Sequence, residues 1–264
     1  MRVQGYWADL PSPSFADLPA QTVAVLPLGA TEQHGPHLPL SVDSDLIDAV
    51  AARMLAALSP DQSVLVLPTL TITKSDEHLD YPGTLTLSPE TFLAVVRETG
   101  ACVARAGVER LVLFNGHGGN AALLQVAARE LRRAHVMIVA VCSWGAFAGW
   151  QDHFEPEAYA HDIHAGDSET SAMLALRPDR VEMNKAQNFT APMKGWGQSV
   201  PGLGLGGSPV NPGWLAQDLH PSGACGNASA ATAEKGAALL DSAGRNFALF
   251  LAEFARFDHR GQQP

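Results

Sequence analysis

Thr22-Val23-Ala24-Val25-Leu26-Pro27-Leu28, closed by Gly29, is apolar at almost every position, with no alternation of polar and apolar residues. A strand with two apolar faces belongs in a sheet covered on both sides. Three further runs resemble it: Ser63-Val64-Leu65-Val66-Leu67, Arg110-Leu111-Val112-Leu113-Phe114 and Val136-Met137-Ile138-Val139-Ala140-Val141. Helical patterns separate them at about 44–58, 88–106 and 121–134, with Ser88-Pro89-Glu90 a start signal and Gly107 a stop for the second. A last helical pattern, at about 230–257, closes the chain. Strand then helix, repeated, predicts a single α/β domain over 1–264: three layers, α/β/α, around a mainly parallel central sheet.

The 264 residues, 46% hydrophobic and 17% charged, are enough for one sizeable core. A formal charge of -10, from 17 basic and 27 acidic residues with no basic cluster, argues against nucleic acid as a partner. No apolar run reaches the roughly 18 to 20 residues that cross a bilayer, and Met1 to Asp9 lacks the basic start and apolar centre of a secretory signal. Cys102, Cys142 and Cys225 are widely spaced and odd in number, which fits reduced thiols; Cys102 reads as core packing. A cytoplasmic protein is the expectation. There is no internal repeat, and the Gly/Pro-rich stretch 184–229, with Trp196 and Trp214, reads as a lid or subunit-contact loop.

The chemistry gathers just past the strand ends, where sheets of this kind bind ligands. Thr31-Glu32-Gln33-His34-Gly35-Pro36-His37 leaves the first strand, and Asp43 follows it. Asn115-Gly116-His117-Gly118-Gly119-Asn120 leaves the third, Trp144 the fourth, and His164-Ala165-Gly166-Asp167-Ser168-Glu169-Thr170 opens a later helix ending at Leu176. Glu32 and His34, two apart on an extended backbone, project to one side and suit one ion or two adjacent ions. Each alone is equally an ordinary loop residue.

Asp43 is either an N-cap of the helix that starts at Ser44 or a carboxylate bridging two cations. His117 sits in a glycine turn that could cradle phosphate, but the segment lacks the spacing of either nucleotide-binding motif, and an imidazole stands at its centre. Glu169 gains from the helix macrodipole in any event. His164 has a pKa range suited to proton exchange. His37 is hemmed by Pro36 and Pro39; His161 and Asp162 are cleft or loop residues; Glu77-His78, ahead of Tyr81-Pro82-Gly83-Thr84-Leu85, is a polar turn at the pocket or a satisfied loop. Trp144 is a flat wall for substrate or a core tryptophan.

Together, Leu28 to His37, Asp43, Pro82-Gly83-Thr84, the Asn115 to Asn120 turn and His164 to Ser171 resemble the creatininase (creatinine amidohydrolase) family, over most of the chain. The resemblance implies a four-stranded parallel sheet, two divalent ions (zinc or manganese, with iron also compatible) and a homo-oligomer, a hexamer built as a trimer of dimers. It implies that Glu32, Asp43 and His117 hold one ion, that His34 with the bridging Asp43 holds the other, and that His164 shuttles a proton. Trp144, His78 and Gly118 are then the candidate substrate contacts.

One departure matters. Creatininase carries a glutamate ligand two residues after the central histidine, where this chain has Gly119, so either the second ion is held weakly or another carboxylate moves in, Glu169 being the one available. A second aromatic contact ahead of His164 is also missing, with Ala160 to Ile163 in its place. The expected activity is hydrolysis of a C–N bond in a small, creatinine-like amide by an activated water, with His164 or Glu169 handing the proton to the departing nitrogen. Alternatives are a deformylase or a cofactor-peptide peptidase of the same family, and, from a different class, a noncatalytic protein that binds metal or a small ligand.

Overall fold

The computed structural model describes residues 3–190, 195–205 and 208–260. Five parallel strands form the sheet: β1 (Gln4–Tyr6), β2 (Val23–Leu28), β3 (Val64–Val66), β4 (Arg110–Asn115) and β5 (Ile138–Ser143), in the order β1-β3-β2-β4-β5. Helices α1 (Val42–Ala57), α2 (Pro89–Arg105) and α3 (Ala121–His135) join the central strands. Short α4 (Pro156–Ala160) precedes α5 (Asp167–Leu176), and the long α8 (Ala233–Phe254) comes last.

The residues explain the layers. Along β2 and β4, alternate side chains enter opposite cores, as the two-residue strand period requires. Val23, Val25, Val112 and Phe114 pack with Ile47, Met54, Met173, Leu240 and Phe247, from α1, α5 and α8. Ala24, Leu26, Leu111 and Leu113 pack with Phe92, Val96, Leu124 and Leu131, from α2 and α3. Both faces of the sheet are therefore covered, as the unbroken apolar runs predict.

Several local expectations are corrected. The sheet has a fifth strand, since Gln4 to Tyr6 pairs with Val64 to Val66 at its edge. β5 starts at Ile138 because Val136 ends α3 in the left-handed region, with φ 56. Cys102 lies exposed on α2, so it is not core packing. The 184–229 stretch carries short elements: the antiparallel pair β6 (Asn188–Phe189) and β7 (Gly226–Asn227), and the helices α6 (Trp196–Ser199) and α7 (Ala216–Leu219). Residues 191–194 and 206–207 of that stretch, Met1, Arg2 and 261–264 lie outside the described residues. Among the described residues, no helix is long and apolar enough to cross a membrane.

Candidate metal centre

The Thr31 to His34 segment is pinned on both sides. An ideal Cβ at Gly29 would run into the backbone of Ser44, with Cα at 2.7 Å, so only glycine lets α1 close on the end of β2. Ser44 Oγ then donates to the Ala30 carbonyl at 2.9 Å. From the other side, Leu85 N donates to Thr31 O at 2.9 Å and Thr84 Oγ1 accepts from Gln33 N at 3.1 Å, which gives the Pro-Gly-Thr segment its local role. Around His117, Asn115 Oδ1 accepts from His117 N at 3.3 Å and from Asn120 Nδ2 at 3.2 Å, bracketing the turn.

These restraints bring together residues from four elements. Glu32 and His34 are fully buried, and Asp43 and His117 nearly so. Three overlapping sets have ligand atoms close enough to share an ion: Glu32, Asp43 and His117; His34, Asp43 and Glu169; Glu32, His34 and His164. Asp43 belongs to the first two, with Oδ2 at 3.5 Å from His117 Nδ1 and Oδ1 at 3.5 Å from His34 Nε2. Glu32 Oε1 lies 3.1 Å from His117 Nδ1, and Glu169 Oε2 lies 3.7 Å from His34 Nε2. Asp43 is not the helix cap: α1 begins at Val42 after Ser41, placing Asp43 inside its first turn.

The donors fit divalent cations. Both carboxylate oxygens of Glu32, Asp43 Oδ2 and His34 Nε2 are buried without a hydrogen-bond partner among the described residues. Burying ionised groups in this way costs several kcal/mol per ion, and bound cations relieve it. Each histidine is also fixed from behind. Nδ1 of His34 donates to the Glu32 carbonyl at 3.1 Å, Nε2 of His117 to the Lys74 carbonyl at 2.9 Å, and Nε2 of His164 to the Gln33 carbonyl at 2.7 Å. That leaves Nε2 of His34 and Nδ1 of His117 and His164 directed inward, the arrangement of histidine ligands oriented by backbone carbonyls. A mixed carboxylate and imidazole set suits zinc or manganese.

The electrostatics follow. Burial alone would lower His34, but Asp43, Glu169 and Glu32 outweigh it and raise the ring to about 9. His117 is likewise raised, against its burial, by Glu32, Glu77 and Asp43. Burial, the charge on His117 and that on His34 lower His78 to about 3, and burial with His34 and His78 depresses His164. Carboxylates thus raise the two imidazoles that face Asp43, while burial and neighbouring histidine charge lower the other two.

Of the remaining candidates, His78 joins the cluster: its Nε2 is 3.5 Å from Glu32 Oε1, and its ring lies 4.5 Å from that of His164. Gly118 borders open space. Glu169 Oε2 also accepts from Ala165 N at 2.6 Å, so it serves the helix start and faces His34 at once. Trp144 is only 8% exposed and packs in the core on the α1, α5 and α8 side. His37 falls outside the three sets: its ring bonds Thr170 Oγ1 at 2.9 Å and stacks on Phe189. Asp162 accepts from Asp167 N at 2.7 Å and Ser168 N at 2.8 Å, tying down the start of α5.

Two residues gain roles that sequence reasoning did not assign. Glu77 fills the space beside Gly119: an ideal Cβ there would run into Glu77 Oε1 and His117 Nε2. Lys74 Nζ donates to Glu77 Oε2 at 2.7 Å. Gln33, only 5% exposed, lies between His78 and His164. The glycine at 119, with an acidic residue next to His78, was the available signal for Glu77; nothing local marked Gln33.

Known proteins are similar over much of this chain. A family profile described as creatinine amidohydrolase matches residues 8–251. The mycofactocin precursor peptide peptidase of Mycobacterium tuberculosis is 33% identical over 261 residues, covering 93% of this chain and 92% of that protein. The creatinine amidohydrolase of Pseudomonas putida is 36% identical over 179 residues, covering 62% of this chain and 67% of that protein. A crystal structure of creatinine amidohydrolase superposes with a TM-score of 0.71 at 29% identity, covering 95% of this chain and 97% of that one. Related creatininase structures are described as manganese and zinc-zinc forms. With the family profile spanning residues 8–251 over a matching fold, the protein belongs to the creatininase family.

Proposed function

We propose that this metal-dependent amidohydrolase cuts a C–N bond in a short peptide, the peptidase alternative, in preference to a creatinine-like amide. The observation that carries the reading is the near end-to-end sequence match to precursor-peptide peptidases, against a sequence match to creatinine amidohydrolase over 62% of the chain. The site supports it. Ala160 to Ile163 stand where creatininase has a second aromatic contact for its small flat ring.

Glu32, Asp43 and His117 would hold one ion, and His34, Asp43 and Glu169 the other, in keeping with the clusters their donor atoms form. Glu169 then supplies the carboxylate missing at Gly119. Divalent ions bound there would polarise the scissile carbonyl and acidify the attacking water. His164 Nδ1, with its lone pair turned inward, takes a proton from that water and returns it to the departing nitrogen, which leaves as an amine. Burial lowers the His164 ring, which favours its neutral form.

The test is chelation, then zinc or manganese add-back, assayed by mass spectrometry on short peptides, N-formyl compounds and creatinine. Peptide cleavage that is lost on chelation and restored by metal is expected. Activity indifferent to chelation would remove the metal role, and creatinine turned over at least about tenfold faster than every peptide would reassign the substrate.

A further inference from the structure

We infer that Gln33 gives two neighbouring histidines opposite hydrogen-bonding polarity, so that His78 presents an N–H donor and His164 a lone pair to the same reacting group. The inference deepens the amidohydrolase reading and rests on it for its catalytic meaning.

The orientation of the Gln33 amide is set by backbone groups with fixed roles. Its Oε1 accepts from Gly35 N at 2.9 Å, and its Nε2 donates to the Gly223 carbonyl at 3.0 Å. Reversing the amide would set N–H against N–H and oxygen against oxygen. The second proton on Nε2 is therefore directed to His78 Nδ1, 2.7 Å away. That nitrogen must be the acceptor, so the single proton of the neutral ring resides on Nε2.

His164 receives the reverse instruction from the same residue. The main-chain oxygen of Gln33 lies 2.7 Å from His164 Nε2, and a carbonyl can only accept. The proton of His164 is thus on Nε2 and the lone pair on Nδ1. The Gln33 amide nitrogen, 3.3 Å from that Nε2, stands donor to donor and makes no competing bond.

Both inward atoms look toward Glu32 Oε1, His78 Nε2 from 3.5 Å and His164 Nδ1 from 3.8 Å. These separations exceed the range of about 2.7–3.2 Å for an ordinary N–H···O bond, so neither atom is committed to Glu32. Amide hydrolysis needs both polarities at one place: a donor for the oxygen on which charge develops, and an acceptor for the water proton. His78 fills the first role and keeps its proton throughout. His164 fills the second. Gln33 is the positioning residue, and with Nδ1 tied to the amide and Nε2 protonated, His78 has no free lone pair for an ion.

Long-range nitrogen–proton correlation NMR on the zinc-loaded protein reads the tautomers directly. His78 and His164 are identified by the signals lost in His78→Gln and His164→Gln. Protonated Nε2 is expected on both, with Gln33→Met shifting His78 alone toward the other tautomer. A proton on His78 Nδ1, or no change in Gln33→Met, overturns the inference. In kinetics, His78→Phe is expected to lower kcat by about 10²–10³ with KM within about threefold and zinc content unchanged, while His78→Gln, which keeps a donor, stays within about tenfold of the native kcat. Loss of zinc in His78→Phe would make His78 a ligand, and an unchanged kcat would end its donor role. A protein with the expected tautomers that hydrolyses no amide would refute the functional reading and leave the polarity standing.

Discussion

The Glu77 carboxylate lies 3.5 Å from Nε2 of His117, on the side of the ring turned away from Glu32 and Asp43. It occupies the space beside Gly119, so the acidic group comes from a different segment and stands behind the imidazole. A carboxylate there makes the ring a stronger ligand and fixes its direction. Glu77→Gln is expected to weaken zinc binding by about 10- to 100-fold, read by competition with a chromophoric chelator. Unchanged affinity would confine Glu77 to its pair with Lys74.

His37 predicts an acid-side loss of stability. Burial and the neighbouring His34 lower it to about 4, against a hydrogen bond with the Ala165 backbone. The unfolded ring titrates near about 6.5, so between these values the unfolded chain binds more protons than the folded one. The stability from neutral His37 is fully present above about pH 6.5 and is lost as pH falls toward 4. Urea titrations of the metal-free protein across this window should show a steeper decline for the native chain than for His37→Asn. Parallel curves would count against a buried neutral ring.

The three thiols are expected to differ sharply. Burial pushes Cys142 up to about 12, and burial with Asp162 pushes Cys225 to about 11. Thiolate is the reactive form, and Cys102 alone is exposed. At pH 8 a chromogenic disulfide should modify Cys102 rapidly and the other two only after denaturation. Rapid reaction at Cys142 would contradict its burial.

Phe247 of α8 is fully buried, stacked on Phe114 of β4 at 4.2 Å and beside Phe147 at 5.0 Å. Phe247→Ala should destabilise the fold by about 3–5 kcal/mol in urea unfolding, since lost burial and a cavity add. A loss below about 1 kcal/mol would mean that the layer repacks around the gap.

The long elements were legible because each carries its own burial pattern. β2 and β4 read as doubly buried strands, and Ser88 caps α2 as its sequence position implies, accepting from Thr91 N at 3.3 Å. β1 was not, because Gln4-Gly5-Tyr6 has no apolar pattern and becomes a strand only by pairing with β3. Asp43 was ambiguous for a related reason: an acidic residue near a helix start suits a cap and a ligand equally, and only its burial beside His34 and His117 separates the two.

Sequence by itself determined the order of strands and helices and the residue types delivered past the strand ends, since periodicity and turn chemistry are local properties. Tertiary structure alone decided which nitrogen of each histidine faces inward, that Glu77 stands in the space beside Gly119, and that Gln33 reaches the Gly223 carbonyl, 190 positions along the chain. Those outcomes depend on distances between segments that folding brings together, and no local pattern encodes a distance between residues so far apart.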